Sequence, residues 1–184
     1  MIIISYDLGT TAKCPTVRCI HNTLFTGMLS VEFATYAPPK KTINPQSAAH
    51  IGYTLYQDLP TFVRHIDCIA YEAPIMGHSA RGSLDTALVA GAICLLWHRI
   101  SFMQDEPPLL LPVLPSEAKL ALAGKGNAEK EEMIAAAQLL LGRTDMTSHE
   151  ADAYAVGLVA INTLEQPHDR AKKQRRAPKA RRAA

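Results

Sequence analysis

The stretch Met1-Ile2-Ile3-Ile4-Ser5-Tyr6-Asp7-Leu8-Gly9-Thr10-Thr11 decides the fold. Ile2 to Ser5 with Tyr6 is a short β-branched and aromatic run, which reads as a buried strand. An acid, Asp7, ends it, and Gly9, Thr10 and Thr11 supply a turn. The run has no basic start and meets a charge within seven residues, so it does not read as a signal peptide. Working outward, Thr16–Ile20 and Met28–Ala34 are the next two strands, which makes a meander. Pro38-Pro39-Lys40-Lys41 forms a loop, and Pro45 to about Arg64 follows at helical spacing. Cys68–Tyr71 is a strand that ends, like the first, at an acid, Glu72. Ser79 to about Met103 is a long helix rich in Ala and Leu. Leu109–Leu114 is a short strand weakened by Pro112. Three helical segments close the chain: Glu117–Leu122, Ala128–Leu141 and Ser148 to about Leu164. The order β-β-β-α-β-α-β-α-α-α predicts an α/β domain, a mixed central sheet flanked by helices.

The chain has 184 residues, 48% of them hydrophobic, which is one domain's worth with enough apolar material for a core. The longest apolar run, Ala87 to Trp97, falls short of the roughly 20 residues of a membrane helix, so no membrane partner is expected. Cys14, Cys19, Cys68 and Cys94 lack the spacing of a zinc site, and free thiols in a reducing cytosol are the simplest reading. The net charge of +2 conceals an asymmetry. Eight basic residues and no acid lie between Arg170 and Arg182, which leaves residues 1–169 at −6. The domain is therefore read as residues 1–166. Residues 167–184 form a basic, self-repelling tail whose Lys172, Lys173, Arg175 and Arg176 attract a polyanion, with an affinity that falls with salt.

Asp7 and Glu72 each end a strand, and in open α/β sheets sites gather beyond the carboxyl ends of strands. Asp152 lies early in the last helix, and His149, three residues before it, projects from the same face. Three carboxylates and an imidazole suit hard divalent cations such as Mg²⁺ or Mn²⁺. Taken singly, each acid is more often a turn residue or a solvated charge. Glu150 is different: with Thr147 it forms a T-x-x-E capping box, and it lies about 200° around the helix from Asp152. Asp145 reads as a loop residue. Within Pro115–Met133, PSEAKLALAGKGNAEKEEM, a Gly-Lys-Gly turn leads into a helix start. Amides at such a start favour phosphate, and Lys119, Lys125 and Lys130 could line a phosphodiester track. A plain helix–turn–helix joint with solvated lysines explains the same residues.

The P-S-x-x-K…G-K-G-x-A-x-K pattern resembles that of RuvC-type Holliday junction resolvases, which have the RNase H-like fold. Other motifs of that family appear in order: a strand ending in D-x-G at Asp7, one ending in Glu72 (IAYEAP), and a last helix reading SHEADAYAVG. The resemblance covers residues 1–164. It implies a metal-dependent endonuclease in which Asp7, Glu72, His149 and Asp152 hold two Mg²⁺ ions. Lys119 and Lys130 match active-site lysines beside the DNA backbone, and Lys125 matches the lysine of the glycine turn. It further implies a cytoplasmic homodimer acting on four-way junctions and other branched DNA, with Ser79–Met103 supplying part of the interface, although a buried core helix explains the same apolar pattern equally well. The chain departs from the bacterial pattern in LGTTAKCPTVRC after Asp7, in Ile75 where an aromatic often follows the catalytic Glu, and in the basic tail. These features resemble the bacteriophage branch, which acts more broadly on branched DNA. Two other classes compete. D-L-G-T-T also resembles the phosphate loop of actin-like ATPases and sugar kinases, but those need two such domains and this chain has room for one. Flap, fork or RNA–DNA hybrid nucleases of the same fold, or a non-catalytic DNA-binding module, remain alternatives.

Overall fold

In a computed structural model the chain is described over residues 1–9, 11, 13, 15–23, 29–38, 44–58, 65–75 and 80–165. Its elements are β1 (Ile2–Asp7), β2 (Thr16–Thr23), β3 (Leu29–Tyr36), α1 (Asn44–Gln57), β4 (Cys68–Glu72), α2 (Ala80–Ser101), β5 (Leu109–Val113), α3 (Pro115–Ala123), α4 (Lys130–Leu141) and α5 (Ser148–Glu165). The order is the one expected from the sequence. The first helix is shorter, ending at Gln57, and the expected continuation to Arg64 falls outside the described residues. The basic tail lies outside them too.

The five strands form one sheet in the order β3-β2-β1-β4-β5. β1 pairs antiparallel with β2, and β2 with β3, while β4 runs parallel to both β1 and β5. β1 is thus the central strand, which is why its isoleucines are covered on both faces: Ile3 and Ile4 are fully buried. β5 is an edge strand, so Pro112 is tolerated although it offers no N–H to a ladder.

Alternation along the strands divides the core in two. Ile4, Tyr6 and Leu8 of the first strand segment, with Ile20 and Ile69, pack against α1 and α2 through Ile51, Leu55, Val89, Ile93 and Leu96. Ile3, Val17, Cys19, Cys68, Ala70 and Val113 face α3, α4 and α5. A Cβ on Gly52 would stand 2.7 Å from the Ala92 Cβ, so α1 crosses α2 at a contact only glycine permits. On the same side the buried Arg18 guanidinium donates to the Asp58 carboxylate at 3.0 Å, and the Tyr36 hydroxyl donates to that carboxylate as well. Arg18 therefore carries its charge into the interior with a partner at the end of α1.

The expectation that no segment is long and apolar enough to span a membrane does not hold for α2. Ser83–Ser101, 19 residues with mean hydropathy 1.2, passes on length and composition, and 33% of it is buried. An unbroken apolar run is the wrong criterion here, because Ser83, Thr86, Gly91 and His98 interrupt the run without raising its polarity much. The buried part, Val89, Ile93, Leu96 and Ile100, packs on the sheet. The remaining apolar side chains form an outward stripe.

Candidate active site

β1 and β4 run parallel with Tyr6 opposite Tyr71, so Asp7 and Glu72 follow side by side where the two strands end. Both residues fall on the α5 side, two positions beyond Ser5 and Ala70. α5 crosses this end of the sheet with its first two turns. The helix starts as the sequence implies: the Glu150 carboxylate accepts from the Thr147 N–H at 2.8 Å, and the Glu150 N–H donates to the Thr147 hydroxyl at 3.2 Å. Glu150 is committed to this cap and to Arg143, 3.8 Å away, while the exposed Asp145 also pairs with Arg143. His149 and Asp152 are left on the face turned to the sheet. His149 Nδ1 is hydrogen-bonded to the Asp7 carboxylate at 2.7 Å, across 142 residues of chain.

The electrostatics register how close the acids are. The Glu72 carboxyl is pushed up to about 8, first by burial, then by the charge of Asp7 and a hydrogen bond with it, then by Asp152. Asp152 is raised to about 6 by burial and by Asp7. His149 is raised above the ordinary imidazole value, chiefly by its bond to Asp7. Lys119 opposes the rise at Glu72, and Lys119 and Lys130 oppose it at Asp152, so both lysines stand within electrostatic reach of the acids. Asp7, Glu72, His149, Asp152, Lys119 and Lys130 are therefore brought together from five separate segments.

Lys125 is placed differently. It is exposed on the turn between α3 and α4 and is paired with Glu132 at 2.5 Å. The start of α4 carries acids of its own. The Glu129 N–H donates to the Glu132 carboxylate at 2.8 Å, and Glu131 and Glu132 occupy the first turn. Those acids satisfy the helix's own N-terminal dipole, so a phosphate would meet negative charge there. Gly124, at φ 75°, caps α3 in the left-handed conformation.

Among the described residues, no three His, Cys, Asp or Glu side chains converge on one point in metal-ligand geometry. Within the site His149 is bonded to Asp7, and Asp7 and Asp152 lie within electrostatic reach of Glu72. In kind the donors fit a hard divalent ion, being three carboxylates and one imidazole whose mutual repulsion a cation would relieve.

The burial of these acids, together with their mutual repulsion, has a measurable consequence. Glu72 and Asp152 hold protons in the folded protein at pH values where the unfolded chain, near 4.5 and 3.8, has lost them. Metal-free stability therefore falls as pH rises through about 6 and about 8. His149 acts in the same direction, since a raised imidazole stabilises below its unfolded value and loses that contribution as pH climbs through the folded one. Differential scanning fluorimetry should find a lower Tm at about pH 8 than at about pH 5, with millimolar Mg²⁺ restoring several degrees at the higher pH and little at the lower. An equal Mg²⁺ effect at both would place the ion elsewhere.

The sheet order and the helix crossing it are those of the RNase H-like fold class. No protein-family model matches the chain. Within that class, the crossover junction endodeoxyribonuclease RuvC of Anaeromyxobacter sp. (strain Fw109-5) is 51% identical over 51 residues, 26% of this chain and 25% of the relative. RuvC of Anaeromyxobacter sp. (strain K) is 47% identical over 51 residues, 28% of its length. The chain thus spans about a quarter of the length of the curated relatives it matches. The fold match is broader. The Thermus thermophilus RuvC structure superposes with a TM-score of 0.70 at 19% identity, covering 91% of this chain and 97% of that one. RuvC of the same organism in complex with Holliday junction substrate gives 0.69 at 16% identity over 90% and 96%. A yeast mitochondrial Holliday junction resolvase gives 0.61 at 13% identity over 94% and 83%. The chain is therefore similar in sequence to RuvC proteins over about a quarter of its length and shares the fold of the RuvC structures over about nine-tenths of it.

Proposed function

We propose that the protein is a cytoplasmic, metal-dependent endonuclease that resolves Holliday junctions and related branched DNA by hydrolysing phosphodiester bonds. One observation carries the reading: three carboxylates from β1, β4 and α5 share one end of the sheet, where burial first, and then Asp7 and Asp152, raise Glu72 to about 8, beside two lysines and on a RuvC fold. Asp7, Glu72, His149 and Asp152 would hold the ions. Bound there, divalent cations would activate a water and stabilise the leaving oxygen. His149 fixes the orientation of the Asp7 carboxylate through its Nδ1 bond. Lys119 and Lys130 place positive charge at the rim, where a scissile phosphate would otherwise meet only acids. Ile75, half exposed three residues beyond Glu72, offers an apolar side chain to an unpaired base where an aromatic would stack. The deciding assay compares a synthetic four-way junction with a linear duplex and a flap, in Mg²⁺ and in EDTA. Paired, Mg²⁺-dependent nicks confined to the junction are expected. Absence of cutting on every substrate would refute the reading, and cutting of flaps and forks too would widen the substrate class on the same site.

Symmetric nicking calls for two copies, and α2 carries a surface suited to that. Leu84, Leu88, Gly91, Leu95, His98 and Phe102 recur at alternating spacings of four and three and face outward. Leu95 is 72% and Phe102 79% exposed, and nothing lies within 4 Å of a Cβ built on Gly91. Alternating three- and four-residue spacing is the pattern of a helix seam against another helix, so the stripe is assigned to the α2 of a second copy rather than to a membrane. Leu88→Glu should convert the dimer to a monomer in light scattering at micromolar concentration and abolish paired nicking; an unchanged dimer would move the interface off α2.

The basic tail is assigned to the DNA backbone. Truncation after Gln166 should weaken junction binding and flatten the slope of log K against log salt by about one for each phosphate no longer neutralised. An unchanged slope would make Lys172, Lys173, Arg175 and Arg176 irrelevant to DNA.

A further inference from the structure

Beneath the acids lies a polar cluster in an otherwise apolar interface. Ser5 stands two residues before Asp7 on the same face of β1 and is fully buried. Its hydroxyl donates to the carbonyl of Ala153, the residue after Asp152, at 2.7 Å. The Cys19 carbonyl is a poorer acceptor at 3.3 Å. Having given its one proton to Ala153, Ser5 accepts from His21 Nε2–H at 3.0 Å. His21, on β2, is 1% exposed, stacks on Tyr154 at 5.4 Å, and keeps Nδ1 without a partner among the described residues. One hydroxyl therefore joins β1, β2 and α5 directly behind the two aspartates.

Apolar packing between β1 and α5 does not by itself fix the spacing of Asp7 and Asp152. The buried residues of α5 are Ala151, Ala153, Tyr154, Ala155, Val156, Gly157, Val159 and Ala160, five of them alanine or glycine. Hydrophobic burial is non-directional, whereas the Ser5–Ala153 bond has both length and direction. Ala153 is covalently next to Asp152, and Ser5 sits one pleat from Asp7, so a slip of α5 that broke this bond would separate the carboxylates by the same amount.

We propose that Ser5, held by His21, is a positioning residue that fixes the spacing of Asp7 and Asp152 and thereby the affinity of the site for divalent cations. The inference rests on the metal-dependent reading above. Its test uses the full-length protein and Mn²⁺ as the probe, with binding followed by electron paramagnetic resonance and Asp7→Asn as the control without a site. Ser5→Ala leaves the His21 N–H buried and unpaired, so the double variant Ser5→Ala/His21→Leu is made beside it; replacing both polar partners by apolar groups can be nearly neutral for stability. The expected result is a folded double variant whose Mn²⁺ affinity falls about tenfold, as when groups supporting metal ligands are removed, with metal-free junction affinity unchanged. Wild-type Mn²⁺ affinity in the folded double variant would overturn the proposal. Loss of the fold in both variants would overturn it too, because the pair would then be a folding determinant. Should the wild-type protein bind Mn²⁺ through Asp7 yet nick no junction, the proposed function fails while an affinity loss in the variants still supports the positioning role. If the wild type binds no Mn²⁺, both fail.

Discussion

Asp7→Asn should lower junction cleavage by about 10³-fold or more while leaving junction binding, measured without metal, at or above the wild-type level. Asp7 is the hub of the site: His149 bonds to it at 2.7 Å, and its charge acts on both Glu72 and Asp152. An asparagine keeps an oxygen that can accept from His149, so the local geometry survives. It removes the charge, and with it the strongest anionic donor for a cation. The same change relieves repulsion in the metal-free protein, so the variant's Tm at about pH 8 without metal should exceed that of the wild type. Gel-shift, cleavage and thermal melts read these three quantities separately. Retained cleavage would remove Asp7 from the chemistry, and a lowered metal-free Tm would show that its charge is stabilising rather than strained.

Gly157→Ala is expected to cost about 3 kcal/mol, at the upper end of the usual range for overpacking. In an exposed helix the exchange would gain stability, by up to about 1 kcal/mol, because alanine is the better helix former. Here the added Cβ would lie 1.7 Å from His21 Nε2 and 2.2 Å from Cε1. The imidazole has nowhere to go, being fully buried between Tyr154 and Ser5. For a chain of this size the cost corresponds to a fall in Tm of roughly 6–12 °C. Combining the change with His21→Ala removes the collision, so the two losses should be less than additive. A Tm at or above wild type for Gly157→Ala alone would mean that His21 can leave its place.

Both predictions concern residues whose meaning differs between the sequence and the folded chain. Asp7 and Glu72 could be picked out in advance because each ends an apolar run, and the β-branched run Ile2–Ser5 leaves little but a buried strand for that segment. Sequence periodicity also determined the element order, and the capping box of Thr147 and Glu150 separated that acid from the site, since these are local properties of spacing and hydrogen-bonding capacity. The lysine–glycine block carries the resemblance to RuvC-type proteins, while only the fold shows that Glu132 accepts from the Glu129 N–H at the start of α4. The long α2 helix was legible, but the length of its unbroken apolar run understated how apolar it is, because polar neutral residues break a run without breaking a helix.

What only the tertiary structure decided is the set of contacts between residues far apart in the chain. The parallel pairing of β1 with β4 puts Asp7 beside Glu72, and α5 brings His149 and Asp152 over them. The raised carboxyls follow from that proximity and from burial, neither of which is a property of any one segment. Ser5 and His21 read as ordinary polar members of their strands. Their place beneath the site depends on which face of β1 and β2 meets α5, and on Gly157 leaving room for an imidazole. Local sequence sets which element forms and which side chains it carries; long-range packing sets the distances between them, and the chemistry of this site resides in those distances.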